Sequence, residues 1–347
     1  MPPTNNSPSP GRQPGARPSH LVVPDLGVGA GLRIPHYGHV LENSPPMGFF
    51  EVISENFFGK GGKPLYHLDQ FIERYPVILH GVSLSIGAPE EPDRQYLEKL
   101  KCLVKRVKPA WVSDHFCFSG AGGAHLHDLL PLPYTEEAIE RVARRAKMVQ
   151  DFLEVPFGLE NTSSYLQYTQ STMPEWEFVS EVVQRADCGL MFDVNNVYVS
   201  AYNHGYDPLE FIRSVPHERI LQIHIAGHTN MGKYIIDTHV GPLIDPVLDL
   251  YRETIRLAGP VSTLLEWDDN IPPFEELARE VDRVRQVKTQ GLLPGCSPLE
   301  RNVMAEMTTQ ADTPPQAWAQ GGPTQSLNEW QERPELDPLV AERGDAS

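Results

Sequence analysis

A chain of 347 residues with 40% hydrophobic content can bury one large core or two modest ones. Its formal net charge of −17 excludes nucleic acid as the main partner, because a phosphate-binding surface has to be basic. No apolar run reaches the roughly 18 residues that a membrane span needs, so no membrane role is expected.

Residues 1–22 are rich in Pro, Ser, Asn and Gly, lack the hydrophobic region of a secretory signal, and read as a disordered tail. A rhythm of short apolar runs and amphipathic stretches then continues to about residue 290. The runs predicted as strands are 26–31, 49–54, 77–83, 110–115, 157–161, 189–193, 220–226 and 262–266. Predicted helices fall at 64–74, 92–107, 135–153, 174–186, 208–214, 244–257 and 273–287. Thr135 followed by Glu136 and Glu137 gives an N-cap and first-turn acids. Pro92 and Pro174 sit where a first-turn proline is tolerated, and Lys105, Arg106 and Lys108 suit the dipole at a helix end.

Eight strands alternating with helices over residues 23–290 is the pattern of an α/β fold, a (β/α)8 TIM barrel. A doubly wound sheet competes, but gives no reason for reactive residues on nearly every strand. Residues 291–347 turn acidic and rich in Pro and Gln, and are expected to be a disordered tail with Trp318 and Trp330 as unremarkable members. Cys102, Cys117, Cys188 and Cys296 include no Cys-x-x-Cys pair, so reduced thiols and a cytoplasmic location are expected.

The chemistry gathers at the strand ends. The third strand carries His80, the fourth ends in Asp114 and His115, the fifth in Glu160 and Asn161 and the sixth in Asp193, with Asn196 just beyond. His224 lies in Gln-Ile-His-Ile-Ala-Gly-His at 222–228, and Glu266 and Asp268 in Leu-Leu-Glu-Trp-Asp at 264–268, with Asp237 and His239 in the loop between. In such a barrel the carboxyl ends of the strands surround one site. Several carboxylates there without cations would cost several kcal/mol each through repulsion and desolvation. Bound metal ions offset that charge, and imidazole with carboxylate suits iron or zinc.

The order His80, His115, Glu160, Asp193, Asn196, His224, Asp237, His239, Glu266 resembles the trinuclear ligand order of endonuclease IV-like, xylose isomerase-like barrels. The departure is Asn196, where the DNA-repair enzymes carry a third-metal His. That Asn, with Leu-His-Gly-Val-Ser at 79–83, Ser-Asp-His-Phe at 113–116 and Asp-Leu-Leu-Pro-Leu-Pro-Tyr-Thr at 128–135, is similar to another family. It is the multinuclear non-heme iron-dependent oxidases of the methanobactin oxidase large-subunit type, which modify ribosomally made peptides. The resemblance implies one iron on His80, His115 and Glu160, a second on Glu160, Asp193, His224 and Glu266, and a weaker third on Asn196, Asp237 and His239. It also implies two or three iron ions, O₂ as co-substrate, a Cys-containing precursor peptide and a small recognition-partner protein. In that chemistry a Cys thiolate ligates one iron, O₂ binds its neighbour, and hydrogen leaves the Cys β-carbon. Glu160 is then a catalytic bridging ligand, and Asp268 either a proton carrier or the partner of a ligating His.

Glu55 and Asn56 fit orientation of ligands or substrate better than metal binding. His36, His39, His204 and His228 read as exposed or supporting residues. The loop over 116–133, which includes His125 and His127, could be a lid or a peptide-docking surface. The competing functions are a zinc- or manganese-dependent phosphodiesterase or sugar isomerase on the same barrel, or a non-catalytic metal-loaded peptide scaffold. The acidic charge opposes the first, and the want of a Lys base near the strand ends opposes the second.

Overall fold

Runs of Val, Ile, Leu and Phe too short for helices and apolar on both faces have one stable place, a parallel sheet covered by helices. A computed structural model, which describes residues 16–121 and 124–300, shows that arrangement. Eight parallel strands follow one another around a closed ring: Val28–Gly31, Phe50–Ile53, Val77–His80, Val112–His115, Phe157–Glu160, Gly189–Asp193, Ile220–Ala226 and Ser262–Glu266. The first pairs with both the second and the eighth, which closes the barrel. The (β/α)8 barrel expected from the sequence is the fold observed.

The helices begin where side-chain chemistry allows. Thr135 caps Glu136–Leu153 by accepting from the Ala138 N–H, as expected. The two prolines stand before the first turn rather than in it. Asp93, after Pro92, caps Arg94–Val107 through the Gln95 N–H, and Pro174 itself occupies the N-cap position of Glu175–Ala186. Lys105 and Arg106 lie in the last turn of their helix, and Lys108 forms its left-handed cap at φ 54°. Two helices escaped the sequence, Tyr37–Asn43 and Val194–His204. The second is buried from Val194 through Ala201, so it shows no polar stripe.

The third strand stops at His80 because the Val82 and Ser83 N–H groups turn to the Glu55 carboxylate, 2.9 Å away. The 116–133 segment is a hairpin of Phe118–Ala121 and Ala124–Leu130 rather than a plain loop. The side chains of His125 and His127 lie outside the described residues.

Both expected tails give residues to the fold. Leu21, in the short turn Ser19–Leu21, is fully buried with Phe49, Ile78, Trp111, Leu221 and Leu264. These six plug the amino-terminal end of the barrel, so the ordered chain begins before residue 23. At the other end the helix Phe274–Gly291 continues past 287, and Leu299 is buried with its N–H on the Glu253 carboxylate. The stretches 1–15 and 301–347, with Trp318 and Trp330, lie outside the described residues.

Candidate metal centre

Parallel register sets the ring of ligands. His115 stands level with Glu160, and Asp193 level with His224. These tips bring His80, His115 and Glu160 together as one group, and Glu160, Asp193, His224 and Glu266 as a second that shares Glu160. Within each group one donor atom from every residue lies within 4.8 Å of the others, a spacing one ion can span. Glu160 Oε2 is 3.3 Å from His80 Nε2 and 3.2 Å from His115 Nε2, while its Oε1 is 3.4 Å from His224 Nδ1. His239, Glu266 and Asp268 form a third group, with Asp237 Oδ1 2.9 Å from His239 Nε2.

Each imidazole is aimed by its far nitrogen. His80 Nδ1 meets Ser113 Oγ at 2.9 Å, and His115 Nδ1 donates to the Gly81 carbonyl at 3.1 Å. His224 Nε2 faces Glu51 Oε1 at 3.2 Å, and His239 Nδ1 faces Asp268 Oδ2 at 3.0 Å. A partner on one nitrogen fixes the tautomer and leaves the other lone pair free for a metal. Gly81 is required at its place, because a Cβ there would meet Asp114 Oδ2 at 2.3 Å.

The free lone pairs test whether cations fit. Glu160 Oε2, Asp193 Oδ2, Asn196 Oδ1, His224 Nδ1 and His239 Nε2 are all buried without a hydrogen-bond partner. Leaving a buried polar atom unsatisfied costs about 1–3 kcal/mol, and more for a charged one. Five lone pairs without donors, on strands and on the helix and loop that follow them, are what divalent cations would satisfy. The donors are nitrogen and oxygen with no thiolate, a set that fits iron and zinc alike.

Without cations, protons balance the charge. Burial opposes a charged His224, yet Glu266, Glu51 and Glu160 outweigh it and hold the ring well above its ordinary value. Burial is likewise overcome at His115, where Glu160 and Asp114 raise the pKa to about 9. Metal must displace these protons. Metal affinity is therefore expected to climb as pH rises toward 9, up to about tenfold per unit for each proton displaced. Calorimetry in buffers of different ionisation heat measures the release, and metal binding without it would contradict this electrostatic picture.

The ring opens into a cavity of about 290 Å³ whose wall includes Arg33, Asp128, Tyr165, Asn196, Asp237 and Asp268. A sequence profile described as "RiPP precursor modification enzyme MbnB/TglH/ChrH" matches residues 27–289. The chain belongs to this family. Its relatives include UPF0276 proteins of Anaeromyxobacter sp. (49% identical over 267 residues, 77% of this chain and 94% of the relative) and Caulobacter vibrioides (48% over 265 residues, 76% and 95%). Among solved structures, a D-tagatose 3-epimerase-like protein aligns at TM-score 0.50 and 16% identity, over 77% of this chain and 97% of its own. The 3-keto-D-glucoside 4-epimerase of E. coli aligns at 0.50 and 11%, over 75% and 98%. These two likenesses show the fold alone.

In this MbnB/TglH/ChrH-family chain seven of the nine sequence-predicted ligands line this cavity, and the other two, Asp193 and His224, are fully buried in one donor group with Glu160 and Glu266. Asn196 lies on the first turn of the helix that follows Asp193; its Nδ2 donates to the Asn161 carbonyl and its Oδ1 is left bare. The third group contains Asp268 beside His239, a residue that the sequence offered only as a proton carrier or as a partner for a ligating His. Arg33 clamps the outer oxygen of Asp268. Asp114 accepts from the His115 N–H and, with Glu55 and Tyr96, fixes the turn after His80.

Glu51 and Gln222 carry no role that the sequence assigned. Gln222 donates to Glu51 at 2.6 Å and accepts from the Trp111 indole at 2.7 Å, so a chain runs from the barrel floor to His224. Asn195 was likewise unassigned; it bridges Asp237 and His228 at 2.8 and 2.7 Å. His36, on the Pro272 carbonyl, and His39, stacked on Phe274, stay in supporting roles, and so does His204 on Ser164 Oγ.

Proposed function

We propose that the protein is a multinuclear iron-dependent oxidase that uses O₂ to modify Cys residues of a ribosomally synthesised precursor peptide, with a small partner protein presenting the peptide. The observation that carries this reading is Glu160, one carboxylate shared between two buried ligand groups that keep buried lone pairs without hydrogen-bond partners. Adjacent sites sharing a bridge suit a reaction that must hold two reactants side by side. We also assign the enzyme to the cytoplasm, which accords with four cysteines free of disulfides. No helix among the described residues is long and apolar enough to cross a membrane.

Iron bound here would supply redox chemistry toward O₂ and Lewis acidity toward a thiol. The chain's own residues do the positioning. His80, His115 and Glu160 would hold one ion, and Asp193, His224 and Glu266 would hold a second through the same Glu160. Asn196, Asp237 and His239 supply donors for a third, with Asp268 on the far nitrogen of His239. Glu51 keeps the His224 ring turned so that Nδ1 faces the cavity. At the mouth, Asp268 is held below its usual carboxylate range: burial opposes ionisation, but His239 and Arg33 prevail. It is therefore a carboxylate at neutral pH, placed to take the proton of an entering thiol.

Oxygen uptake by the iron-loaded enzyme with Cys-bearing peptides tests the proposal. Uptake that depends on the Cys is expected, and none with any such peptide would favour a binding scaffold. Asp268→Asn keeps a side chain on Arg33 and His239 but removes the base. Turnover should fall about 10²–10⁴-fold with most of the iron retained. Iron lost in proportion to activity would instead assign Asp268 to holding His239.

A further inference from the structure

Beside the metal cavity lies a second one, of about 360 Å³, within the range of ligand pockets. Tyr134, Tyr168, Trp176 and Tyr206 contribute to its wall, together with Glu175. Trp176 and Tyr206 meet at 5.5 Å between centroids, inclined by 57°. Among the described residues no Lys or Arg lines this space. Its histidine, His204, is held below its ordinary pKa by burial and bonds Ser164 Oγ through Nε2.

Among the described residues no cation stands beside the acid in this cage. Burial pushes the Glu175 carboxyl up to about 8, against a hydrogen bond from the Tyr134 hydroxyl. The Tyr206 hydroxyl lies near Ser200 without a well-formed hydrogen bond. Aromatic faces around one carboxylate form the recognition chemistry of an ammonium or guanidinium group, drawn by the rings' quadrupoles and neutralised by the acid. A cationic ligand would draw the Glu175 carboxyl into its ionised form and pair with it, whereas a neutral ligand would leave it protonated.

Two chain segments join this cage to the metal cavity. Asp128 and Leu129 line the metal cavity, and Leu132 and Tyr134 line the cage. Thr162, Ser163 and Tyr165 line the first, while Ser164, Leu166 and Tyr168 line the second. The cavities are thus two sides of the same wall. We propose that the second cavity receives a Lys or Arg side chain of the precursor peptide, close in sequence to the Cys that enters the metal ring. This rests on the peptide-modifying reading above and adds a specificity site to it.

The test uses the metal-loaded full chain and two probes, Nα-acetyl-lysine methylamide and its norleucine counterpart, followed by saturation-transfer NMR. The lysine probe should bind and the norleucine probe should not. Glu175→Gln should weaken lysine binding at least tenfold, and Trp176→Leu should weaken it as well. Equal binding of the two probes, or lysine binding untouched by Glu175→Gln, overturns the proposal. Should a variant fail to fold, the contrast between the probes on the unaltered chain decides alone. With Cys peptides, replacing a neighbouring lysine by norleucine should raise KM with little change in kcat, and an unchanged KM counts against the site. The probes need neither O₂ nor turnover. Lysine binding without oxidation would therefore strike the oxidase reading, whereas oxidation without lysine selectivity would strike the cage.

Discussion

Glu160→Gln should abolish turnover while the barrel stays folded. The side chain is buried among three imidazoles, with one oxygen 3.3 Å from His80 and 3.2 Å from His115 and the other 3.4 Å from His224. Glutamine fills the same volume but supplies one acceptor and one donor pair. Whichever way the amide turns, its NH₂ must face a position where a lone pair is needed. Losing a bridging anion between metal sites removes several kcal/mol of charge stabilisation. A loss of about 4 kcal/mol corresponds to roughly a thousandfold in rate. Iron content should drop by at least one ion per chain, with circular dichroism unchanged. Normal iron and retained turnover in this variant would refute the shared bridge.

The second large effect is on stability. The tips of the fifth, sixth and eighth strands end in Glu160, Asp193 and Glu266, all buried, with Glu51 buried beneath them. Removing metal leaves these carboxylates to the imidazoles alone. A ligand held at a thousand times its dissociation constant stabilises a fold by about 4 kcal/mol. Chelation should therefore lower the melting temperature on the order of 10 °C. The effect should deepen with pH, and the sign follows from His115. Its folded pKa of about 9 exceeds the ordinary 6.5, so the proton it gains stabilises the metal-free fold fully below 6.5. That contribution is lost as pH rises through 9, and the gap between loaded and metal-free protein should widen over this window. Differential scanning calorimetry with and without chelator measures it, and an equal melting temperature in both states would mean that no cation stabilises the ring.

The barrel was legible because its strands are apolar on both faces and its helices on one. The site was legible because His80, Glu160, Asp193 and Glu266 are each the last residue of a strand, where the fold leaves side chains free to meet. What escaped lay where pattern carries no signal. Glu51 is mid-strand, and its partners Gln222 and His224 are 171 and 173 residues away, so only closure of the barrel reveals it. The helix Val194–His204 is buried nearly all round and has no periodic face. Leu21 sits among prolines and serines, yet caps the barrel floor. Met173 and Trp176 pack against the core, yet each also lines the second cavity. Local sequence tells which residues are apolar, not which side of a packed ring stays open.

Metal analysis of the protein purified without oxygen tests the central claim most directly. Two or three irons per chain are expected, removable by Glu160→Gln together with His224→Ala. Zinc at full occupancy with no iron, or a chain carrying no metal at all, would contradict it.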